Sequence, residues 1–299
     1  MGTPSYATVI FQALLNAPDI EVCALFTQSD KKAGRGQALV PPDIKRFALE
    51  NKIAIDIFQP QTLKDEQITA QITSLKPDFI VVAAYGKLLP TDILDIAPCI
   101  NLHASLLPKY RGASPIQQAV LNGERYIGVT AMKMEKGLDT GDMLGLSYVL
   151  AKGLSSDALF DLLAKKAADL TLKVLRSYDK ILPLKQVDAL SSKTSKITKE
   201  MGLISFELTC EEFERKLLAF TPWPGLFLQS GLKLKSLRCV KAEHSFKAGE
   251  IVEIREGEVI TACIDGFAHI QTVQAPSKQE TDALSYINGK RIRVGDTFY

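Results

Sequence analysis

The chain has 299 residues, 46% hydrophobic and 23% charged, with a formal net charge of +2. This is the composition of an ordinary globular protein, and without a run of about 20 apolar residues it excludes a helical membrane span. So small a net charge excludes a globally basic nucleic-acid binder, so any basic surface has to be local, and the length allows two domains or one large one.

The start, MGTPSYATVIFQALL, has neither a positive flank ahead of an apolar stretch nor a small-residue cleavage site, so it is not a secretion signal. Glu21 to Thr27, Asp78 to Tyr85, Cys99 to Ser105 and Gly128 to Met134 are short, rich in β-branched residues and bounded by Pro, Gly or charge, which predicts strands. Between them, PPDIKRFALENK and LKDEQITAQITSL carry apolar residues at helical spacing. Strand alternating with helix predicts an α/β domain whose mostly parallel sheet is covered on both faces. Ser155 to Tyr178 is the clearest helix, with a Ser cap and an acidic first turn. From Lys180 to Lys199 the chain turns polar, with five lysines against one aspartate, which predicts a linker and, at its blandest, a solvated one. Beyond a short helix at EEFERKLLAF, closely spaced alternating runs predict a small antiparallel barrel or sandwich. The five cysteines are scattered and never form C-x-x-C, which argues against a disulfide framework and a zinc site and for a cytoplasmic protein with reduced thiols.

Asn101 and His103 alternate in a strand, so they share a face, at the strand end where open parallel sheets keep their ligands. An amide beside an imidazole supplies donors to a developing oxyanion and a group that exchanges protons near neutral pH, chemistry suited to acyl transfer. The alternative is a satisfied structural pair. In the following loop, Ser114 can cap a helix beginning at Pro115 and Gly123 can end it. EKGLDTGDML offers Asp139 and Asp142 on a Gly-rich turn, and the residues alone do not choose between them. A carboxylate beside His103 would stabilise its imidazolium.

NLHASLLPKYRGASPIQ with GLDTGDML resembles the formyltransferases that use 10-formyltetrahydrofolate. The resemblance selects Asp139 and implies a catalytic set of Asn101, His103 and Asp139. It implies a Rossmann-like formyltransferase domain over residues 1–181, a basic linker over 182–203 and an OB-like β-barrel over 204–299 that helps hold tRNA. Loop YRGASPI, the second domain with FTPWPG, and the start MGTPSYA resemble the branch whose acceptor is initiator methionyl-tRNA, formylated on the methionine α-amine for translation initiation. By the same resemblance, Ala84, Tyr85, Gly86, Lys87, Leu88 and Leu89 would line the pterin pocket, largely through backbone groups, with Ser105, Leu106, Leu107 and Pro108 beside them. Arg35 would engage the tRNA acceptor end. Lys109 and Arg111 would position tRNA, or Arg111 would only brace the loop. No metal, no membrane partner and a monomer are expected. Tyr6 and Trp223 are expected to pack, and His244 and His269 receive no role.

In that family a short apolar strand precedes Gly-Thr-Pro, whereas here Met1-Gly2 stands at that point. The expectation is a truncated or misassigned start and a sheet lacking one strand. Rival functions are formyl transfer to another amine, such as glycinamide ribonucleotide or an amino sugar nucleotide, a hydrolase releasing formate from the same folate, and a non-catalytic tRNA- or folate-binding module.

Overall fold

A computed structural model describes residues 1–33 and 37–298. They divide into two compact units, the first comprising Met1–Ile116, Arg125–Ala151 and Ala158–Ser195, the second Gln117–Glu124, Lys152–Asp157 and Lys196–Tyr299.

From the N-terminus to Ser195 the elements are α1 (Ser5–Leu15), β1 (Ala24–Phe26), a hairpin of β2 (Lys31–Ala33) and β3 (Ala38–Val40), α2 (Asp43–Glu50), β4 (Asp56–Phe58), α3 (Glu66–Ser74), β5 (Ile80–Val82), α4 (Thr91–Leu94), β6 (Cys99–His103), β7 (Arg111–Gly112), α5 (Pro115–Leu121, mostly of the second unit), β8 (Tyr126–Lys133), β9 (Met143–Leu150), α6 (Ser156–Ser177, of the first unit from Ala158) and β10 (Lys193–Thr194). Helix α1 is not among the elements expected from the sequence. Its buried positions, Tyr6, Ala7, Ile10, Phe11 and Leu14, have helical spacing, but apolar residues also occupy its other face and blur the period. In α6, Leu159, Leu163, Ala167, Leu170 and Val174 form one buried stripe. Each such leucine contributes about 1.5–3 kcal/mol by leaving water, which makes the helix a fixed wall.

The expected mostly parallel sheet is mixed. Its order is β5-β6-β8-β9, and only β5 and β6 run parallel, with β1 and β4 a separate parallel pair. The β8 and β9 strands are joined by a short loop, and a short connection allows only antiparallel pairing. Gly2 lies between the two groups of strands, donating its N–H to Phe26 O at 3.0 Å, while Ala83 N–H donates to Met1 O at 2.9 Å. A cavity of about 860 Å³, lined by Ile10, Leu25, Ile72, Phe79, Ile80 and Leu175 among others, occupies the rest of that space.

The second unit contains α7 (Cys210–Phe220), β11 (Leu226–Phe227), β12 (Lys233–Lys241), β13 (Ile251–Arg255), β14 (Glu258–Cys263), β15 (Gly266–Gln274), β16 (Glu280–Asp282) and α8 (Ala283–Lys290). Its strands form an antiparallel sheet of order β11-β12-β15-β14-β13, with β16 also on β15, and among the described residues no pair closes it into a barrel. Thr209 and Glu212 cap α7 reciprocally, side chain to backbone. The two histidines of this unit serve structure: His244 Nε2 lies 2.8 Å from Cys263 O, and His269 Nδ1 lies 3.0 Å from Glu258 Oε1. All five cysteines are free, yet three that are far apart in sequence meet in this unit. Spacing along the chain is silent about residues brought together by a sheet and a helix. Among the described residues no helix is long and apolar enough to cross a membrane.

Candidate active site

The site is built at the end of β6. Strand alternation puts Asn101 and His103 on one face, and the register sets Asn101 between Val82 of β5 and Met132 of β8, with His103 opposite Thr130. Thr130, fully buried, shapes the loop that follows: its hydroxyl donates to Ser105 O at 2.7 Å and accepts from Leu107 N–H at 3.1 Å. Ser105 Oγ donates to Lys109 O at 2.7 Å, and the Leu107–Pro108 peptide is cis. The loop returns Tyr110 to His103, whose Nε2 lies 2.8 Å from Tyr110 O. A carbonyl only accepts, so Nε2 carries a proton and Nδ1 is the nitrogen left for chemistry.

That nitrogen faces Asp139 Oδ2 at 3.6 Å. Asp139 is buried, as is His103. Its carboxylate also accepts from Asn101 Nδ2 at 3.2 Å and from Gly112 N–H at 2.8 Å. The structure therefore brings the three expected catalytic residues into one cluster, and the carboxylate that meets Asn101 and His103 is that of Asp139. Asp139, Tyr110 and Gly112 hold positive φ values of 55°, 62° and 107°. For the two residues with side chains, Asp139 and Tyr110, such conformations cost of order 1–3 kcal/mol each and persist where neighbours enforce them, whereas Gly112 adopts its φ without that cost.

The enforcing neighbours come from the segment expected to be a solvated linker. Gln186 Nε2 donates to Asp139 O at 2.9 Å and Gly141 O at 2.7 Å, while its Oε1 accepts from Arg111 Nε at 2.9 Å. Arg111 is buried and its Nη2 lies 2.8 Å from Asp188 Oδ1. This geometry fits the bracing role: the guanidinium is turned onto the strap. Ser192 Oγ accepts from Tyr110 N–H at 2.9 Å, and β10 pairs with β7, matching Lys193 to Arg111 and Thr194 to Gly112. Gly112, Thr130, Gln186, Ser192 and Thr194 carry no sequence signal for these roles, because a single residue acting through one hydrogen bond leaves no periodic pattern.

The remaining expected residues fall into two groups. Ala84 (φ 44°) and Gly86 (φ 75°) shape a turn whose Tyr85 O accepts from Gln28 Nε2 at 2.9 Å. Lys87 Nζ donates to Gln61 O at 2.8 Å and to Pro60 O. Leu89 is buried and Leu88 is 73% exposed. Tyr85 is buried with its hydroxyl unpartnered among the described residues, and burial pushes that hydroxyl up to about 12. Lys109 is exposed. Arg35 lies outside the described residues.

An amide, an imidazole and a carboxylate converge beside a strand end of the first unit, and the chain belongs to the formyl transferase family. The formyl transferase model matches residues 1–152 and the family's C-terminal domain model residues 196–291. The methionyl-tRNA formyltransferase of Campylobacter lari is 49% identical over 299 residues, covering 100% of this chain and 98% of that protein. The methionyl-tRNA formyltransferase of Campylobacter curvus is 50% identical over 296 residues, covering 99% and 97%. An N-formyltransferase from Helicobacter canadensis, solved with folinic acid and dTDP-3-aminofucose, shares the fold with a TM-score of 0.67 at 19% identity, over 91% of this chain and 97% of its own.

Proposed function

We propose that the chain transfers the formyl group of 10-formyltetrahydrofolate to the α-amine of methionine carried by initiator tRNA. Full-length identity of about half to curated methionyl-tRNA formyltransferases carries this reading. The Asn101, His103 and Asp139 cluster supplies its chemistry. As the amine adds to the formyl carbon, Asn101 donates its second Nδ2 proton to the oxygen that gains charge, and His103, once its Nδ1 has taken up the proton released by the amine, donates from Nδ1 to the same oxygen. The new carbon–nitrogen bond forms on the methionine, the bond to the folate nitrogen breaks, and one proton passes from the amine to that nitrogen. His103 Nδ1 and Asp139 move this proton, which is why the imidazole is anchored through Nε2.

The turn from Ala84 to Leu89 and the loop from Ser105 to Pro108 hold the pterin. The exposed Leu88 and half-buried Leu106 supply apolar surface, and the turn supplies backbone groups. Residues 1–181 form the catalytic domain, residues 182–203 a basic linker whose first part, to Ser195, packs onto that domain's site, and residues 204–299 an OB-like domain that holds tRNA with help from the lysines of the linker, since phosphate contacts need only local charge. Lys109, which is exposed, engages the acceptor end. The enzyme works as a cytoplasmic monomer without a metal in its catalytic centre.

The test is transfer of labelled formyl from 10-formyltetrahydrofolate to initiator methionyl-tRNA, beside glycinamide ribonucleotide as acceptor and an Asp139→Ala control. Transfer to the tRNA alone, lost in the control, is the expected result. Transfer to the nucleotide alone, or formate release without an acceptor, would overturn the reading.

A further inference from the structure

Three of the five cysteines converge in the second unit, from three different elements: Cys210 is the first residue of α7, Cys239 lies in β12 and Cys263 ends β14. Sheet register explains the meeting. Cys239 and Thr261 both stand opposite Ala268 of β15, in one row across the sheet, and Cys263 is two residues beyond Thr261 on the same face. Gly266 stands opposite both Cys263 and Lys241, and the absence of a side chain there admits the helix: a Cβ on Gly266 would lie 2.8 Å from Cys210 Sγ. Cys210 Sγ thereby reaches Cys263 Sγ at 3.6 Å, and all three sulfurs lie within 4.8 Å of one another.

We propose that Cys210, Cys239 and Cys263 form a three-thiolate site for zinc or a similar thiophilic d10 cation. A zinc–sulfur bond of about 2.3 Å in tetrahedral geometry sets sulfurs about 3.8 Å apart. The observed 3.6 Å is already at that spacing, and the 4.8 Å limit leaves under about 1 Å of closure. The residues behind the sulfurs are held as metal ligands usually are. Asp265 Oδ1 accepts the Cys210 backbone N–H at 2.6 Å, and His244 Nε2 lies 2.8 Å from Cys263 O and 3.0 Å from Gly266 O. Binding proceeds as one Zn²⁺ displacing three thiol protons, leaving a centre of net charge −1 whose fourth position a water fills. The N-terminus of α7, whose first residue is Cys210, favours that charge, and the Asp265 carboxylate that accepts from Cys210 N–H has its own charge offset by the Lys241 ammonium 3.7 Å away. The ion clamps α7 to β12 and β14. Buried reduced cysteines that merely pack are the alternative, and they are common.

The experiment uses the full-length chain, reduced and stripped of metal, titrated with zinc against a chromophoric chelator and separately with cobalt(II). The expected result is one zinc per chain, a tetrahedral cobalt–thiolate spectrum, and a zinc-dependent rise in melting temperature. Cys239→Ser, the change at the least buried of the three, should weaken binding by at least about 100-fold, the upper end of what losing a residue behind the ligands costs. Cys23→Ser, at an exposed cysteine far from the cluster in sequence, should leave binding unchanged. A measurement on the unaltered chain needs no variant to fold: zinc should protect Cys210 and Cys263 from alkylation while Cys23 still reacts. Absence of competitive zinc binding, equal affinity in Cys239→Ser, equal alkylation with and without zinc, or a Cys210–Cys263 disulfide as the stable product would each overturn the proposal.

Discussion

Replacing Gly112 by alanine probes how the strap and the catalytic carboxylate depend on one another. Gly112 has φ of 107°, where a side chain is strained, and a Cβ there would stand 2.6 Å from the backbone oxygen of Thr194. That oxygen belongs to β10, so something in the β7–β10 pairing must shift. The strain costs about 1–3 kcal/mol of stability. The same displacement moves the Gly112 N–H away from Asp139 Oδ2, now 2.8 Å distant, and a hydrogen bond to a charged group contributes about 1.5–3 kcal/mol. At 1.36 kcal/mol per factor of ten, its loss lowers kcat by about 10- to 150-fold if Asp139 works in the transition state. KM for the formyl donor should stay near its original value, because the pterin-lining segments are not touched. Single-turnover formyl transfer at saturating donor and acceptor, beside thermal melting, measures both parts. A lowered melting temperature with kcat unchanged would refute the reasoning that Gly112 orients the carboxylate.

Asn101→Ala removes a donor to the developing oxyanion and one partner of Asp139, and should lower kcat by about 100- to 1000-fold in steady-state transfer assays. Thr130→Val keeps the shape of a fully buried residue but leaves Ser105 O and Leu107 N–H unpaired. It should cost about 2–4 kcal/mol in denaturant unfolding and reduce turnover with it, because the loop after β6 loses its anchor. In the second unit, the hydrogen bond from His269, followed by the nearby charges of His269 and Arg238, holds the Glu258 carboxyl below its usual range. A carboxyl depressed by folding stabilises the folded state above its unfolded pKa, and that contribution fades as pH falls through the folded value. Chemical unfolding followed from neutral to acid pH should therefore show a shallower acid loss in Glu258→Gln than in the parent chain.

The parts of this molecule legible in its sequence are those governed by a period. Asn101 and His103 could be placed on one face because strands alternate, and α6 could be drawn because its apolar stripe recurs every turn. Strand direction has no such signature: nothing in GVTAMKM distinguishes the antiparallel β8 from the parallel β5. As turn residues Asp139 and Asp142 are indistinguishable; the family resemblance singles out Asp139, and it is Asp139 that meets Asn101 and His103. Gln186 is the clearest loss. It lies in a polar, lysine-rich stretch of ordinary linker composition, yet its amide bridges Arg111 to the backbone of Asp139. A residue that acts through one side chain on distant carbonyls carries no local pattern. The same holds for Cys210, Cys239 and Cys263, whose proximity is a property of register and helix placement.

The strap also sets where this enzyme can be taken apart. Its Gln186, Ser192 and Thr194 hang from the site, and the first compact unit runs to Ser195. A fusion that exchanges C-terminal domains between relatives would keep the catalytic architecture of this chain only if spliced after that residue. Joining at the end of α6 would import a foreign strap, whose side chains would have to match Arg111 and the Asp139 turn of the host.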